Sequence, residues 1–127
     1  MAIDIKNRRL FSVCGNRLMA VSDPDAGKVI ATPAIGAGPD GVVFDPSNGY
    51  VMSSNGGDGT MTIVKENAGK WEVLENVASA RGARTIALDT KTHNVYLPTA
   101  VPGPPPTAGQ RRGTFLPDSF KVIVVGK

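Results

Sequence analysis

The chain has 127 residues, 41% of them apolar, with 15 glycines, 10 prolines and a formal net charge of +3 from 14 basic and 11 acidic side chains. That length suits one ordinary domain with one core, and the apolar fraction excludes a disordered chain. No stretch approaches about 18 consecutive apolar residues, so neither a membrane-spanning helix nor a membrane partner is expected; the scattered basic residues, never more than two together, argue against nucleic acid as a partner.

In chain order the first unit reads as strand "MAIDI", turn "KNR", strand "RLFSVC", turn "GN", strand "RLMAVS", turn "DPDAG" and strand "KVIATPAI". Each break carries its own turn chemistry, such as the preset proline and self-bonding aspartates of Asp23-Pro24-Asp25-Ala26-Gly27. The second unit repeats the scheme with "GVVFD", "GYVMSS", "TMTIVK" and "KWEVLENV", joined by "PSN", "NGGDG" and "ENAG". The third gives "RTIALD" and "NVYLPTA", departs through "VPGPPPTAGQRRGTFLPDS" and ends in "FKVIVVGK", so its fourth strand is missing. No helical period of useful length is present.

Asp4, Asp45 and Asp89 stand at matching places in the three units, 41 and 44 residues apart. A period of about 40–45 residues is that of a four-stranded propeller blade. The expected fold is therefore all-β: a single segment of β-propeller blades, each a four-stranded antiparallel sheet, over residues 2–40, 41–84 and 85–127, with a proline-rich insertion at 101–117. Strand alternation assigns the core to Ile3, Leu10, Phe11, Val13, Leu18, Val21, Val29, Ile35, Val42, Phe44, Ile63, Trp71, Val73, Ile86, Leu88, Val95, Tyr96, Val122 and Val124. Cys14, the single cysteine, is expected as an inert core thiol.

Residues 23 to 64 resemble the YVTN-type bacterial β-propeller repeat through Gly36, Gly38-Pro39-Asp40 and Asp45-Pro46, followed by Asn55 and the Gly59-Thr60 turn. The naming tetrapeptide is replaced by Val51-Met52-Ser53-Ser54. The resemblance covers residues 2 to about 100 and implies an exported or periplasmic protein, whereas "MAIDIKNRR" has an acid at position 4 and no apolar run that reads as a signal peptide. Localisation is left open.

Candidate sites are few. One histidine and one cysteine exclude a multi-histidine or zinc-type ligand set, so neither metal nor cofactor is expected. His93 is read as a solvated turn residue, "SSNGGDGT" as a strand connection rather than a phosphate cradle, and the three aspartates as caps for turn amides. Arg81 and Arg84 fall in a blade-to-blade turn, where two guanidinium groups could fix a carboxylate or phosphate. The alternative pairs Arg84 with Asp40 of the neighbouring blade. Asp40 and Asn55 join the arginines as binding candidates, for a small anion or a protein. Arg111 and Arg112 sit in the proline-rich insertion, which should project as an extended interface loop.

No catalytic residue is assigned. The expected function is a non-enzymatic binding or scaffold module; the alternative is a propeller-type hydrolase or lactonase at the channel mouth, with His93, Asp40 and Glu75 as the acid–base candidates. Three blades form an open arc, and propellers ordinarily close with four to eight. The expected partner is a second copy, giving a homodimer that closes a six-bladed ring.

Overall fold

A computed structural model describes residues 1–126 of the chain. The described residues form eleven strands and no helix. Strands β1 (Ala2–Asp4), β2 (Arg9–Cys14), β3 (Leu18–Asp23) and β4 (Lys28–Ala31) make one antiparallel sheet in chain order. Strands β5 (Pro39–Asp45), β6 (Tyr50–Asn55), β7 (Thr60–Asn67) and β8 (Lys70–Ala78) repeat it. The third sheet has three strands, β9 (Ala87–Leu88), β10 (Val95–Thr99) and β11 (Lys121–Val125), with β11 at its outer edge. The protein is thus all-β, built of three blade-like antiparallel meanders, with three strands in the third among the described residues.

Directly paired residues share a face of an antiparallel sheet. In the first blade the register Ala2↔Phe11, Phe11↔Val21 and Val21↔Ala31 lays one apolar row across all four strands. This row packs with Val42, Val51 and Val64 of the second blade. Phe11 stacks on Phe44 and meets Trp71 edge-on, both with ring centroids 5.4 Å apart. The opposite face of the second blade carries Met52, paired with Ile63, and Met61, paired with Ser54. It packs on Val95 and Leu97 of the third blade to form a second core. The middle blade is therefore covered on both sides, and β6 is buried without interruption from Val51 to Asn55.

Two of these findings correct the sequence reading. Ile3, Val122 and Val124 are 50%, 46% and 55% exposed, because they lie on the outer faces of the first and third blades, where no further sheet follows. Val29 and Val73 are exposed on the outermost strands β4 and β8. Cys14 is only half-buried, paired with Leu18 on the same outer face of the sheet as Leu10, away from the core. Met19, Val51, Met52, Met61, Val64 and Leu97 complete the cores in place of these residues.

The proline-rich insertion is not simply extended. Gly103 N–H donates to Thr114 O (2.7 Å), Leu116 N–H donates to Val101 O (2.9 Å), and Pro102 bridges to Phe115, so residues 101–116 fold back as an exposed flap.

Candidate functional site

The links between blades, residues 32–38 and 79–86, meet the β6–β7 turn at one end of the sheets. Gly56 and Gly57 donate their amides to Gly38 O and Ala37 O at 3.0 Å each, and Gly82 donates to Gly56 O at 2.9 Å. Backbones approach so closely that a Cβ on Gly38 would lie 2.7 Å from Gly57 N, and Gly38 has φ +62°. Only glycine satisfies both conditions.

Around this junction Arg84 and Asp40 come together: the Arg84 guanidinium donates to Asp40 at 3.2 Å, with both side chains exposed. A surface pair of this kind stabilises little, about 0.2–1 kcal/mol, but it occupies the guanidinium expected to hold an anion. Arg81 is exposed, and its carbonyl accepts from Thr99 Oγ1 at 3.2 Å. Asn55 lies beneath the surface, fully buried; its Nδ2 donates to Thr60 Oγ1 (3.1 Å) and Thr62 Oγ1 (2.8 Å), and its Oδ1 accepts from Ser53 Oγ (2.8 Å). It braces the second blade instead of facing a ligand. Asp58 accepts from Thr60 Oγ1 (2.6 Å) and from Ala37 N–H (2.8 Å); burial opposes its ionisation, yet these donors hold its carboxyl below the usual range. Arg111 and Arg112 are exposed on the flap.

At the opposite end the repeated aspartates cap the first hairpin of each blade. Asp4 accepts from Asn7 N–H (3.1 Å) and Asn7 Nδ2 (2.7 Å). Asp89 accepts from Lys91 N–H (2.9 Å) and Thr92 Oγ1 (2.7 Å). Asp45, 1% exposed, takes Ser47 N–H (3.0 Å), Ser47 Oγ (2.7 Å) and Asn48 Nδ2 (3.1 Å). It also takes a fourth donor: His93 Nδ1, reaching across from the third blade, lies 2.7 Å away. Burial penalises the Asp45 carboxylate, but the Ser47 hydroxyl and amide, followed by His93, outweigh it and lower its pKa.

His93 is therefore more than a solvated turn residue, because it ties two blades together. It does so from a left-handed backbone at φ +62°, with its amide donating to Asp89 O at 2.7 Å. Sequence reasoning had the Asp45 cap and the His93 turn separately; nothing local in either segment announces that they meet.

His93 and Glu75 border one cleft of about 370 Å³ between the second and third blades, whereas Asp40 lies at the far end of the sheets. The cleft walls are apolar, formed by Tyr50, Met52, Met61, Ile63 and Val125 among others. The Ser47–His93–Asp45 cluster has the composition of a hydrolytic triad but not its wiring. Ser47 Oγ donates to Asp45 and lies 3.3 Å from the same Nδ1 that engages the carboxylate, so the hydroxyl is not presented to the other ring nitrogen for activation. No cluster of three metal-binding side chains occurs among the described residues.

No family model matches the chain, and no curated protein matches it. Among solved structures the chain is similar to Kuenenia stuttgartiensis hydrazine synthase, with 13% sequence identity and a TM-score of 0.68. The match covers 78% of this chain and 28% of that chain. At this identity the likeness concerns the fold, and the blades of this chain correspond to just over a quarter of the larger protein.

Proposed function

We propose that the chain is a non-enzymatic binding or scaffold module of YVTN-type blades that pairs with a second copy to close a six-bladed ring. One observation carries the reading. The middle blade is covered on both faces, while the outer faces of its neighbours carry the same kind of apolar rows with nothing against them. Ile3, opposite Leu10, is half exposed in the first blade, and Val122 and Val124, opposite Pro98 and Tyr96, are half exposed in the third. Apolar sheet faces on a folded domain mark interaction surfaces, and each blade of a repeat fold buries its face against the next. A head-to-tail pair joins the first blade of each copy to the third of the other and uses both faces twice.

Light scattering after size exclusion tests this. The expected mass is that of two chains at micromolar concentration, with Val124→Glu reverting the protein to a single chain of unchanged circular dichroism. A wild-type protein that stays a single chain throughout micromolar dilution refutes the ring. The hydrolase alternative is tested with lactone and phosphoester substrates: turnover abolished by His93→Ala would replace the scaffold reading with an enzymatic one.

A further inference from the structure

The first hairpin of every blade turns on one pattern: a capping aspartate and, four positions later, a residue in the left-handed conformation. That residue is Arg8 at φ +55° in the first blade, Gly49 at φ +76° in the second and His93 at φ +62° in the third. In the second and third hairpins its amide donates to the carbonyl of the capping aspartate, at 2.9 and 2.7 Å. From this position His93 reaches back to the cap of the preceding blade, with its Nδ1 2.7 Å from Asp45 Oδ2. At the junction of the first and second blades the same position holds Gly49, which has no side chain to send to Asp4.

The two caps differ accordingly. Asp45 Oδ2 takes Asn48 Nδ2 and His93 Nδ1, and its Oδ1 takes the amide and hydroxyl of Ser47. Asp4 Oδ2 takes Asn7 Nδ2 at 2.7 Å and its Oδ1 takes Asn7 N–H at 3.1 Å; Lys6 stands where Ser47 does, so among the described residues Asn7 alone donates to this carboxylate. Asp4 is nevertheless only 6% exposed, and a buried carboxylate with spare acceptor capacity favours a charged N–H donor. Beside it opens a cavity of about 190 Å³, bounded by Asp4, Asn7, Gly49, Phe44 and Trp71. Glu66 and Lys6 balance each other on its exposed rim. Lys65, also on the border, holds its ammonium over the Tyr50 ring, 5.3 Å from the centroid.

We infer that this cavity binds a planar nitrogen cation of the imidazolium or guanidinium class, in the place that His93 takes at the next junction. One N–H donates to Asp4 Oδ2 beside Asn7, and the flat face of the cation lies against the wall formed by Trp71 and Phe44, whose rings attract positive charge. The cation is either a free small molecule or the tip of a partner's histidine or arginine side chain. The inference rests on the reading of the chain as a binding module, to which it adds a ligand class, but not on the ring, since both walls of the cavity belong to one chain.

Trp71 is the single tryptophan, so its indole N–H gives one unambiguous resonance in the isotope-labelled protein. The whole chain is titrated at constant ionic strength with imidazolium chloride, methylguanidinium chloride, N-acetylhistidine amide and N-acetylarginine amide. Saturable shifts of the Trp71 indole and the Asn7 side-chain amide are expected, with dissociation constants of about a millimolar for ligands this small. Tighter binding of the blocked amino acids assigns the cation to a partner's side chain, and tighter binding of the small cations to a free ligand. Asp4→Asn, which keeps the side-chain shape, should weaken binding at least about tenfold. Gly49→His should abolish it: a Cβ at Gly49 meets only Lys65 Cε, at 3.9 Å, and arginine and histidine already hold the matching left-handed positions, so the introduced imidazole takes the site itself. Shifts that rise linearly without saturation, equal affinity for tetramethylammonium, which has no N–H to donate, or undiminished binding by folded Gly49→His overturns the site. Molecular mass recorded on the same samples keeps a failure of the ring distinct from a failure of the cavity.

Discussion

Replacing Phe11 with alanine is the sharpest test of how the first two blades are joined. Phe11 is fully buried, stacks on Phe44 and meets Trp71 edge-on, each at 5.4 Å between centroids. Truncation removes the ring and leaves a cavity bounded by two sheets that cannot collapse independently, so the upper part of the usual Phe→Ala range applies, about 3–5 kcal/mol. Against a total stability of about 5–15 kcal/mol for an ordinary domain, that is a large fraction. Phe11→Leu keeps most of the volume and should cost about 1–2 kcal/mol.

Urea unfolding at fixed protein concentration, followed by the fluorescence of Trp71, the chain's single tryptophan, measures both variants. The same probe sits on the perturbed contact, so its native emission should shift in Phe11→Ala. A cycle with Trp71→Ala, followed for all four proteins by far-ultraviolet circular dichroism because that change removes the fluorophore, should give a coupling of about 0.5–1.5 kcal/mol. A loss below about 1 kcal/mol for Phe11→Ala, or strict additivity with Trp71→Ala, would refute the packing argument.

Gly38→Ala combines a left-handed backbone with a Cβ placed 2.7 Å from Gly57 N, and should cost more than the roughly 1–2 kcal/mol of the conformational term alone; a change below that, read by thermal unfolding, would mean the inter-blade link is pliable. Asp45, Asp58 and Asp89 all have carboxyl pKa values lowered in the folded state. Their stabilisation is complete above the ordinary carboxylate range near pH 4 and disappears as pH falls through the lower folded values. Asp45→Asn should accordingly flatten the acid limb of stability against pH, and an unchanged limb would contradict the cap assignment. Trypsin should cut the native protein first after Arg111 and Arg112, which are exposed on the flap, with Arg9 and Lys28 in strands surviving longer; intact flap bonds would mean the flap is covered.

What the sequence disclosed followed from how local each signal is. Phe11, Val21 and Val42 are legible as core because polar turns on either side fix the strand and alternation fixes the face. The aspartate caps were equally legible, since each accepts from residues within three positions of itself. Alternation fails where both faces are buried: in "VMSSN" every side chain is inside, so Met52 carries no contrast with Val51 and the pattern does not mark it as core. It fails in the opposite sense at Ile3, Val122 and Val124, whose pattern specifies an inward or outward face but cannot say whether another sheet stands against it. The Asp45–His93 bond spans 48 positions and two blades, and only the stacking of the blades brings its partners together.

The three units diverge in the places where they would otherwise be interchangeable, and the divergence has a direction. The cap is retained in all three blades, but only Asp45 gains a histidine from the following one. The cap of the first blade borders Trp71 of the second, whereas the cap of the second borders His93 of the third. The third blade keeps its inner packing: Val95, Leu97 and Thr99 of β10 are as buried as the strands of the middle blade. The residues that hold the third blade to its neighbour are thus buried, while Val122 and Val124 of its outer face and the flap are exposed.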